Sequence, residues 1–331
     1  VNANESNNDT APADGTICLD CTLPAELAGQ RLDQALATVY REHSRVRISG
    51  WIRNAEVLVN DRPARPRDKV AGGEHIRIRA QLPAATSLEP EAIPLAIVHE
   101  DDAILVINKP PGLVVHPGAG NPRHTLMNAL LGHDPALAKL PRAGIVQRLD
   151  KDTSGLMVIA RTPTAHTRLV AELQARSIKR DYLAIVNGVL TAGGTVDAPI
   201  GRHPRQRTRM AVVTGGKPAV SHYRVVSRYR AHTLVRVSLE SGRTHQIRVH
   251  MAHLNHAVLG DPLYGPRPKL PRGAAESLRS TIQGFRRQAL HACALGLAHP
   301  CSGEPLQFEA AMPDDMQDLA DRLAADTREH G

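Results

Sequence analysis

The sequence predicts an α+β protein of two domains, and three observations predict it. First, apolar runs of strand length occur at Ile104-Leu105-Val106-Ile107, Leu156-Met157-Val158-Ile159, Leu183-Ala184-Ile185-Val186 and Leu234-Val235-Arg236-Val237-Ser238-Leu239. They are interspersed with helical stretches near 125–132, 163–175 and 245–254 in no regular strand-helix-strand repeat, so an α+β arrangement fits better than a doubly wound sheet. Second, 331 residues with 42% apolar content give room for two domains and material for at least one substantial core. Third, residues 81–95, QLPAATSLEPEAIPL, hold three prolines and two glutamates and no basic residue, which is a linker composition. The expected partition is a polar, disordered tail over 1–17, a small module over 18–80, a linker over 81–95 and a larger domain over 96–331.

Composition narrows the class of function. Forty-one Lys and Arg against 33 Asp and Glu give a formal charge of +8, a surplus that suits a polyanionic partner. Arginine dominates the basic set, and its planar fork suits phosphate and base-edge contacts better than a lysine point charge does. Aromatics are only 2%, against rows of stacking rings for single strands, so shape and backbone contacts would carry affinity. No apolar run approaches the ~18 residues of a membrane span, and the N-terminus lacks the basic and apolar regions of a secretory signal, so a soluble cytoplasmic protein is expected. Four cysteines, Cys18, Cys21, Cys293 and Cys301, are too few and too unevenly placed for a disulfide framework. Cys18-Leu19-Asp20-Cys21 could be half of a zinc site, but no second pair completes four ligands, and no metal is expected.

The N-terminal module reads element by element. Leu32, Ala35, Leu36, Val39 and Tyr40 recur at helical spacing. Ser44 can cap a second helix in which Ile48, Trp51 and Ile52 share a face and Arg45, Arg47 and Arg53 lie elsewhere. Val57–Asn60 and His75–Arg79, separated by Pro63, Pro66, Gly72 and Gly73, read as short strands. RLDQAL, SRVRISGWI, VLVN and the GGE turn at 72–74 resemble the S4 RNA-binding domain over about residues 31–79. That resemblance implies RNA contact by Arg45, Arg47 and Arg53; taken singly, each also fits an ordinary solvated arginine.

Of four notable loops in the larger domain, three are candidates for chemistry. Asn108–Gly120, NKPPGLVVHPGAG, follows a strand, but its glycines have neither Walker A nor dinucleotide spacing, and it reads as a structural turn. Residues 144–160, GIVQRLDKDTSGLMVIA, put a short polar run between apolar segments, where a fold places residues at a cleft mouth. On composition alone, Asp150 there is equally a solvated turn residue. SGRTHQIRVH at 241–250 clusters Arg243, His245, Arg248 and His250 before a helix; with no His-x3-His pair and no companion acid, core or surface histidines fit better than metal ligands. Lys179-Arg180-Asp181-Tyr182 is a charged turn opening onto a strand.

These elements in this order, and above all RLDKDTSGL at 148–156, resemble the RluA type of pseudouridine synthase from about Leu95 to Pro313; GNPRHTLMNALL, VDAPIGRHP, MAHLNHAVLGDPLYG and RQALHA extend the match. The resemblance implies a pseudouridine synthase fold, a mixed, largely antiparallel sheet with flanking helices and a central cleft. It implies isomerisation of uridine to pseudouridine in 23S ribosomal RNA, within the loop of helix 69, on free RNA or an assembling large subunit, by a monomer with no cofactor. It makes Asp150 the obligatory carboxylate, acting at C1′, at C6 or on a sugar proton. It gives Arg248 the ion pair that keeps Asp150 charged, Tyr182 stacking and proton transfer at C5, and Arg148 the space vacated by the flipped base. Gln147 stands where the family usually has His, so that position is not a required acid or base.

The loop with Arg202, Arg205, Arg207 and Arg209 is expected to meet RNA together with Arg243, because uncompensated charge clusters repel unless a polyanion neutralises them. The stretch from Arg267 to Arg287 is a second such rim, and a solvated loop is the alternative for each. A non-catalytic S4-type assembly factor would have no reason to keep Asp150, Tyr182 and Arg248 together. An S4-containing RNA methyltransferase would need a glycine-rich donor loop that is absent from this sequence.

Overall fold

The computed structural model describes residues 16–40, 43, 45–81, 89–118, 120–206, 208–265 and 267–330. They fall into two compact units that divide after residue 87.

In the first unit, β1 (Thr16–Thr22), α1 (Leu32–Val39), α2 (Arg45–Arg53), β2 (Val57–Val59), β3 (Arg62–Pro63) and β4 (His75–Gln81) follow one another. The strands form one antiparallel sheet in the order β1-β4-β2-β3. The helical period works as read: Leu32, Ala35 and Leu36 of α1 and Ile48, Trp51 and Ile52 of α2 are buried against Val57, Ile76 and Ile78 of the sheet. Thr16 and Ile17, expected in the tail, open β1 and pair with Gln81 and Ala80, so the module starts earlier than the polarity change indicates. Residues 1–15 and the proposed cap Ser44 lie outside the described residues. Cys18 is exposed on β1 whereas Cys21 packs toward the core, as strand residues three apart must, so the two thiols cannot share an ion.

The second unit runs β5 (Ile97–Glu100), β6 (Ile104–Lys109), α3 (Leu126–His133), β7 (Ser154–Ala160), α4 (Pro163–Ala175), β8 (Lys179–Asn187), β9 (Gly194–Asp197), β10 (Ile200–Arg202), β11 (Met210–Val212), β12 (Val220–Arg228) and β13 (His232–Leu239). α5 (Gln246–His253), α6 (Glu276–Gly284), β14 (Leu290–Ala298), β15 (Pro305–Glu309) and α7 (Asp314–His330) complete it. Among the described residues a sheet of nine strands has the order β5-β6-β7-β14-β8-β13-β12-β9, with β15 also on β14. Only β7 and β14 pair in parallel, through Ser154 and Gly155; β10 and β11 form a separate hairpin.

The sheet centre is long and apolar because it is covered on both faces. Leu105, Ile107, Met157 and Ile159 share one large cluster with α3, α5, α6 and α7, while Ile104, Val106, Leu156 and Val158 pack with α4 on the other face. α3 starts in a capping box between Thr125 and Asn128, and α4 starts with Thr162 accepting from the Ala165 N–H and Pro163 in the first turn. Residues 89–95, read as linker, are instead strapped to α3. Glu91 N–H donates to Asn128 O at 3.0 Å, Asn128 Nδ2 donates to Glu89 O at 2.9 Å, and the Glu91 carboxylate accepts from the His124 N–H. A side chain at Gly132 would run into the Glu91 backbone, so this glycine permits the close approach. No helix among the described residues is long and apolar enough to cross a membrane.

Candidate active site

The polar run at 144–153 sits where β7 meets β14, and a glycine makes that meeting close. Gly155 has φ +119, and a Cβ on it would collide with the Ala292 backbone. Just before it, the Thr153 N–H donates to Asp150 O at 3.1 Å and closes a tight turn. Buried groups hold this turn from behind. Lys109, fully buried, donates from Nζ to the carbonyls of Pro110 at 2.7 Å, Leu113 at 3.0 Å and Lys151 at 3.0 Å. Arg287 donates to Asp152 O at 3.2 Å, and Gln288 Nε2 to Thr153 Oγ1 at 3.0 Å. Burial lowers the Lys109 pKa to about 8, with Asp152 and Asp150 opposing. The loop after β6, read as a structural turn, brings His116 and Pro117 to the hollow that holds Asp150, and the lysine before it fixes the loop that carries Asp150.

Asp150 faces a guanidinium. Arg248 Nη1 donates to Asp150 Oδ2 at 2.9 Å, while its Nε and Nη2 donate to Asp261 Oδ2 at 2.7 Å and Oδ1 at 2.9 Å. Asp261, which no sequence motif marks, is the second acid on this guanidinium. Its side chain has no exposed surface and also accepts the N–H groups of Leu263 and Tyr264. Burial works against its ionisation, but the Arg248 bonds outweigh it and hold its carboxyl below the ordinary value. Burial likewise opposes the charge on Arg248, and Asp261 and Asp150 together more than restore it. Among the described residues Asp150 Oδ1 accepts no hydrogen bond; His245 Nε2 lies 3.8 Å from it.

Arg248 owes its place to the start of α5. His245 caps the helix in the left-handed region, at φ 57°. Buried Gln246 ties the entry down, accepting from Ser241 Oγ and the Arg243 N–H and donating to Val220 O and Ser221 Oγ. On β8, between β14 and β13, the period of two separates the KRDY side chains. Arg180 and Tyr182 line the cleft, while Asp181 is bound by Arg236 Nε at 3.0 Å and Ser238 Oγ at 2.7 Å. Tyr182 is buried, and burial raises its phenol pKa, so it carries its proton at neutral pH.

Asp150, Tyr182 and Arg248 therefore line one cleft of about 830 Å³, with Leu149, Ile247 and Leu290 as apolar wall. Its rim is basic: Arg142, exposed Arg148, Arg176, Arg180 and half-buried Arg243, with Glu240 and Asp150 as its acids. The Arg180 Nε is buried with no partner among the described residues. A second hollow of about 420 Å³ shares Asp150, Arg148, His245 and Arg248 with the first and extends toward Lys151, Asp152 and Pro262. Half-buried Gln147 lines the larger cleft.

The remaining candidates lie elsewhere or are differently engaged. Arg209 sits beside Tyr264, its Cζ 5.6 Å from the ring centroid; Arg202 and Arg205 are exposed on the same hairpin, and Arg207 lies outside the described residues. In the first unit Arg45 is exposed but already paired. With Arg31 and Ser49 it donates to buried Asp33, whose carboxyl these bonds hold below its ordinary value against the penalty of burial. Arg53 donates to Ser49 O, and Arg47 is exposed. Of the histidines, His250 is buried between Ser221 Oγ and Ala198 O, His256 bonds Asn187 O, and His253 is exposed.

A carboxylate–guanidinium–carboxylate chain, with Arg248 and Asp261 buried and Asp150 open to a basic cleft, on an antiparallel-rich sheet, defines an enzyme site suited to a polyanion. Residues 103–253 match the family model described as RNA pseudouridylate synthase. The chain is 55% identical over 313 residues, 94% of this chain and 96% of that protein, to ribosomal large subunit pseudouridine synthase D of Salmonella typhi. It is 52% identical over 322 residues, 97% of each chain, to the protein of the same name from Xanthomonas campestris pv. campestris. The solved structure titled Human RNA Pseudouridylate Synthase Domain Containing 4 superposes with a TM-score of 0.56 at 27% identity, covering 69% of this chain and 93% of that one. The chain belongs to the RNA pseudouridylate synthase family and, within it, to the RluA type.

Proposed function

We propose that this enzyme isomerises uridine to pseudouridine in the large-subunit ribosomal RNA, in the loop of helix 69, acting as a monomer with Asp150 as its reacting carboxylate. The observation that carries the reading is the Asp150–Arg248–Asp261 chain: one carboxylate, kept beside a fixed cation, with an oxygen left open at a cleft. The C1′–N1 bond breaks, a C1′–C5 bond forms, and the proton lost from C5 is balanced by one gained at N1. No electrons enter or leave. Such chemistry needs an ionised carboxylate at the sugar or base, and Arg248 sets a fixed positive charge beside it.

Other residues serve entry and proton transfer. Tyr182, neutral and buried, offers a flat face for the base and an O–H near C5. Taking the uridine out of its stack costs a few kcal/mol, and exposed Arg148 at the cleft mouth fills the gap it leaves. Arg142, Arg176, Arg180 and Arg243 face the phosphates on either side. The S4-like first unit and the 202–209 hairpin add contacts to folded RNA away from the target base.

The test is Asp150→Asn, which keeps the shape and removes the charge. Pseudouridine formation on 23S ribosomal RNA should fall below detection while RNA affinity stays within about threefold, because the binding arginines are untouched. A variant that isomerises at a near-normal rate would sink the assignment.

A further inference from the structure

The oxygen of Asp150 that Arg248 leaves open has a neighbour to which nothing above gives a role. His245 Nε2 lies 3.8 Å from Asp150 Oδ1, and its other ring nitrogen, Nδ1, lies 2.8 Å from the Tyr264 hydroxyl. That hydroxyl already accepts the Met210 N–H at 2.9 Å, which leaves its own proton free to be donated to His245 Nδ1. A ring that accepts at Nδ1 carries its hydrogen at Nε2. We propose that His245 is a positioning residue for Asp150, locked by Tyr264 in the tautomer whose Nε2–H faces the carboxylate oxygen not held by Arg248. The proposal rests on Asp150 being the reacting carboxylate.

The surroundings are built for this lock. The rings of His245 and Tyr264 meet edge to face, with centroids 5.6 Å apart at 75°. Tyr264 is itself pinned by the β11 backbone and flanked by the guanidinium groups of Arg248 and Arg209, 5.1 Å and 5.6 Å from its centroid. His245 takes a left-handed backbone conformation, uncommon for a residue with a side chain, to bring its ring to this spot. The charged groups around it are Asp150 and Arg148 from the turn, Arg248 from α5 and Asp261 from the following loop. Burial first, then Arg248 and Arg148, push its pKa down against the pull of the two aspartates, so the ring is neutral at pH 7, as the lock requires.

The two carboxylate oxygens are thereby made different. Oδ2 is tied to a cation, and Oδ1 has a neutral N–H alongside that sets the carboxylate plane. A separation of 3.8 Å closes to a hydrogen bond when charge gathers on Oδ1, as apo geometries in active sites tighten in the reacting complex. Protonation would undo the arrangement. Nδ1–H would oppose the Tyr264 O–H, and an imidazolium beside Asp150 would quiet the carboxylate, so the rate should fall at acid pH, on the acid side of the ordinary histidine range.

The experiment compares His245→Phe, His245→Gln, Tyr264→Phe and Asp150→Asn, all in the full chain, by the pH dependence of kcat and KM on a 23S ribosomal RNA transcript. His245→Phe should lower kcat about 10- to 100-fold, the worth of a hydrogen bond to a charged group, with KM changed by less than about threefold. His245→Gln, whose carboxamide N–H reaches the same place and cannot titrate, should restore kcat to within about fivefold and remove the acid limb. Tyr264→Phe should cost about 2- to 10-fold in kcat. Wild-type kcat in His245→Phe, equal losses in the Phe and Gln variants, or an unchanged acid limb in His245→Gln would each overturn the proposal. An active Asp150→Asn would instead overturn the reading of the site on which it rests.

Discussion

Arg248 has three donor positions in use, and their division decides what Asp150 can do. Asp261 takes Nε and Nη2 in a bidentate grip, which fixes the plane of the guanidinium and leaves Nη1 aimed at Asp150. An arginine with one partner would swivel; with two it is a fixed cation. Replacing Asp261 by Asn removes one buried charge from a chain of three. Breaking a buried pair in this way costs about 3–5 kcal/mol because the remaining charge is uncompensated. The expected outcome for Asp261→Asn is a loss of that size in urea unfolding and a fall of at least about tenfold in single-turnover pseudouridine formation. Wild-type turnover in a folded Asp261→Asn protein would show that Asp150 needs no fixed cation. Legibility differs sharply at this scale. Asp150 stands in a polar run between apolar strands where a turn residue fits equally well, and the family resemblance of RLDKDTSGL singles it out, whereas Asp261 lies in GDPLYG, a stretch with turn-forming Gly and Pro. Its role depends on a contact with Arg248, thirteen residues away, and no local pattern encodes that. Lys109 was hidden in the same way: buried lysines are rare, and a lysine before two prolines reads as a turn.

At the scale of elements, periodicity found what was regular. β6, β7, β8 and β13, and α3, α4 and α5, lie where the apolar runs and helical spacings put them, because each has a face or faces to bury. The period of two also explains why Arg180 and Tyr182 reach the cleft while Asp181 does not. Missed were the strands β1, β3, β5, β9 to β12 and β15, most of them too brief or too polar for a period to emerge, β14, whose run of small residues has no strong strand signature, and the helices α6 and α7. The beginning of β13 also carries an uncommon group. His232 is fully buried, neither ring nitrogen has a partner among the described residues, and burial, with Lys269 adding to it, lowers its pKa to about 4. The folded chain then stays neutral at this site where the unfolded chain takes a proton, between about pH 6.5 and pH 4. Stability is therefore unaffected above pH 6.5 and is lost as pH falls to 4, by about 3 kcal/mol when the loss is complete. Urea unfolding of His232→Leu should be less acid-sensitive than wild type by about that amount between pH 7 and pH 4. Parallel pH profiles for the two proteins would mean that His232 is already satisfied when folded.

Across the whole molecule, the separation into two cores sets what each unit can be asked to do. The first unit closes its own core around Leu36, Ile48, Trp51 and Ile78; the second buries its sheet without them. Every group in the Asp150 chain belongs to the second unit. What the first unit adds is charge: residues 31–79 carry eleven Lys and Arg against six Asp and Glu. Part of that surplus is spent internally, on Asp33 by Arg31 and Arg45 and on Asp61 by Arg77, which leaves fewer cations to meet phosphates than the sequence count implies. Deleting residues 1–80 should accordingly weaken binding to 23S ribosomal RNA and flatten the plot of log affinity against log salt. Each lost phosphate contact removes about 0.7–0.9 from the slope, so two or three contacts predict a drop of about 2. At saturating RNA the truncated enzyme should still form pseudouridine within about threefold of the intact rate, since uniform binding lost from the free enzyme raises KM and leaves kcat alone. Filter binding across a salt series, paired with turnover at saturation, separates the two effects. An unchanged slope would deny the first unit its contact with RNA, and a collapse of turnover in a folded truncation would place part of the chemistry there instead.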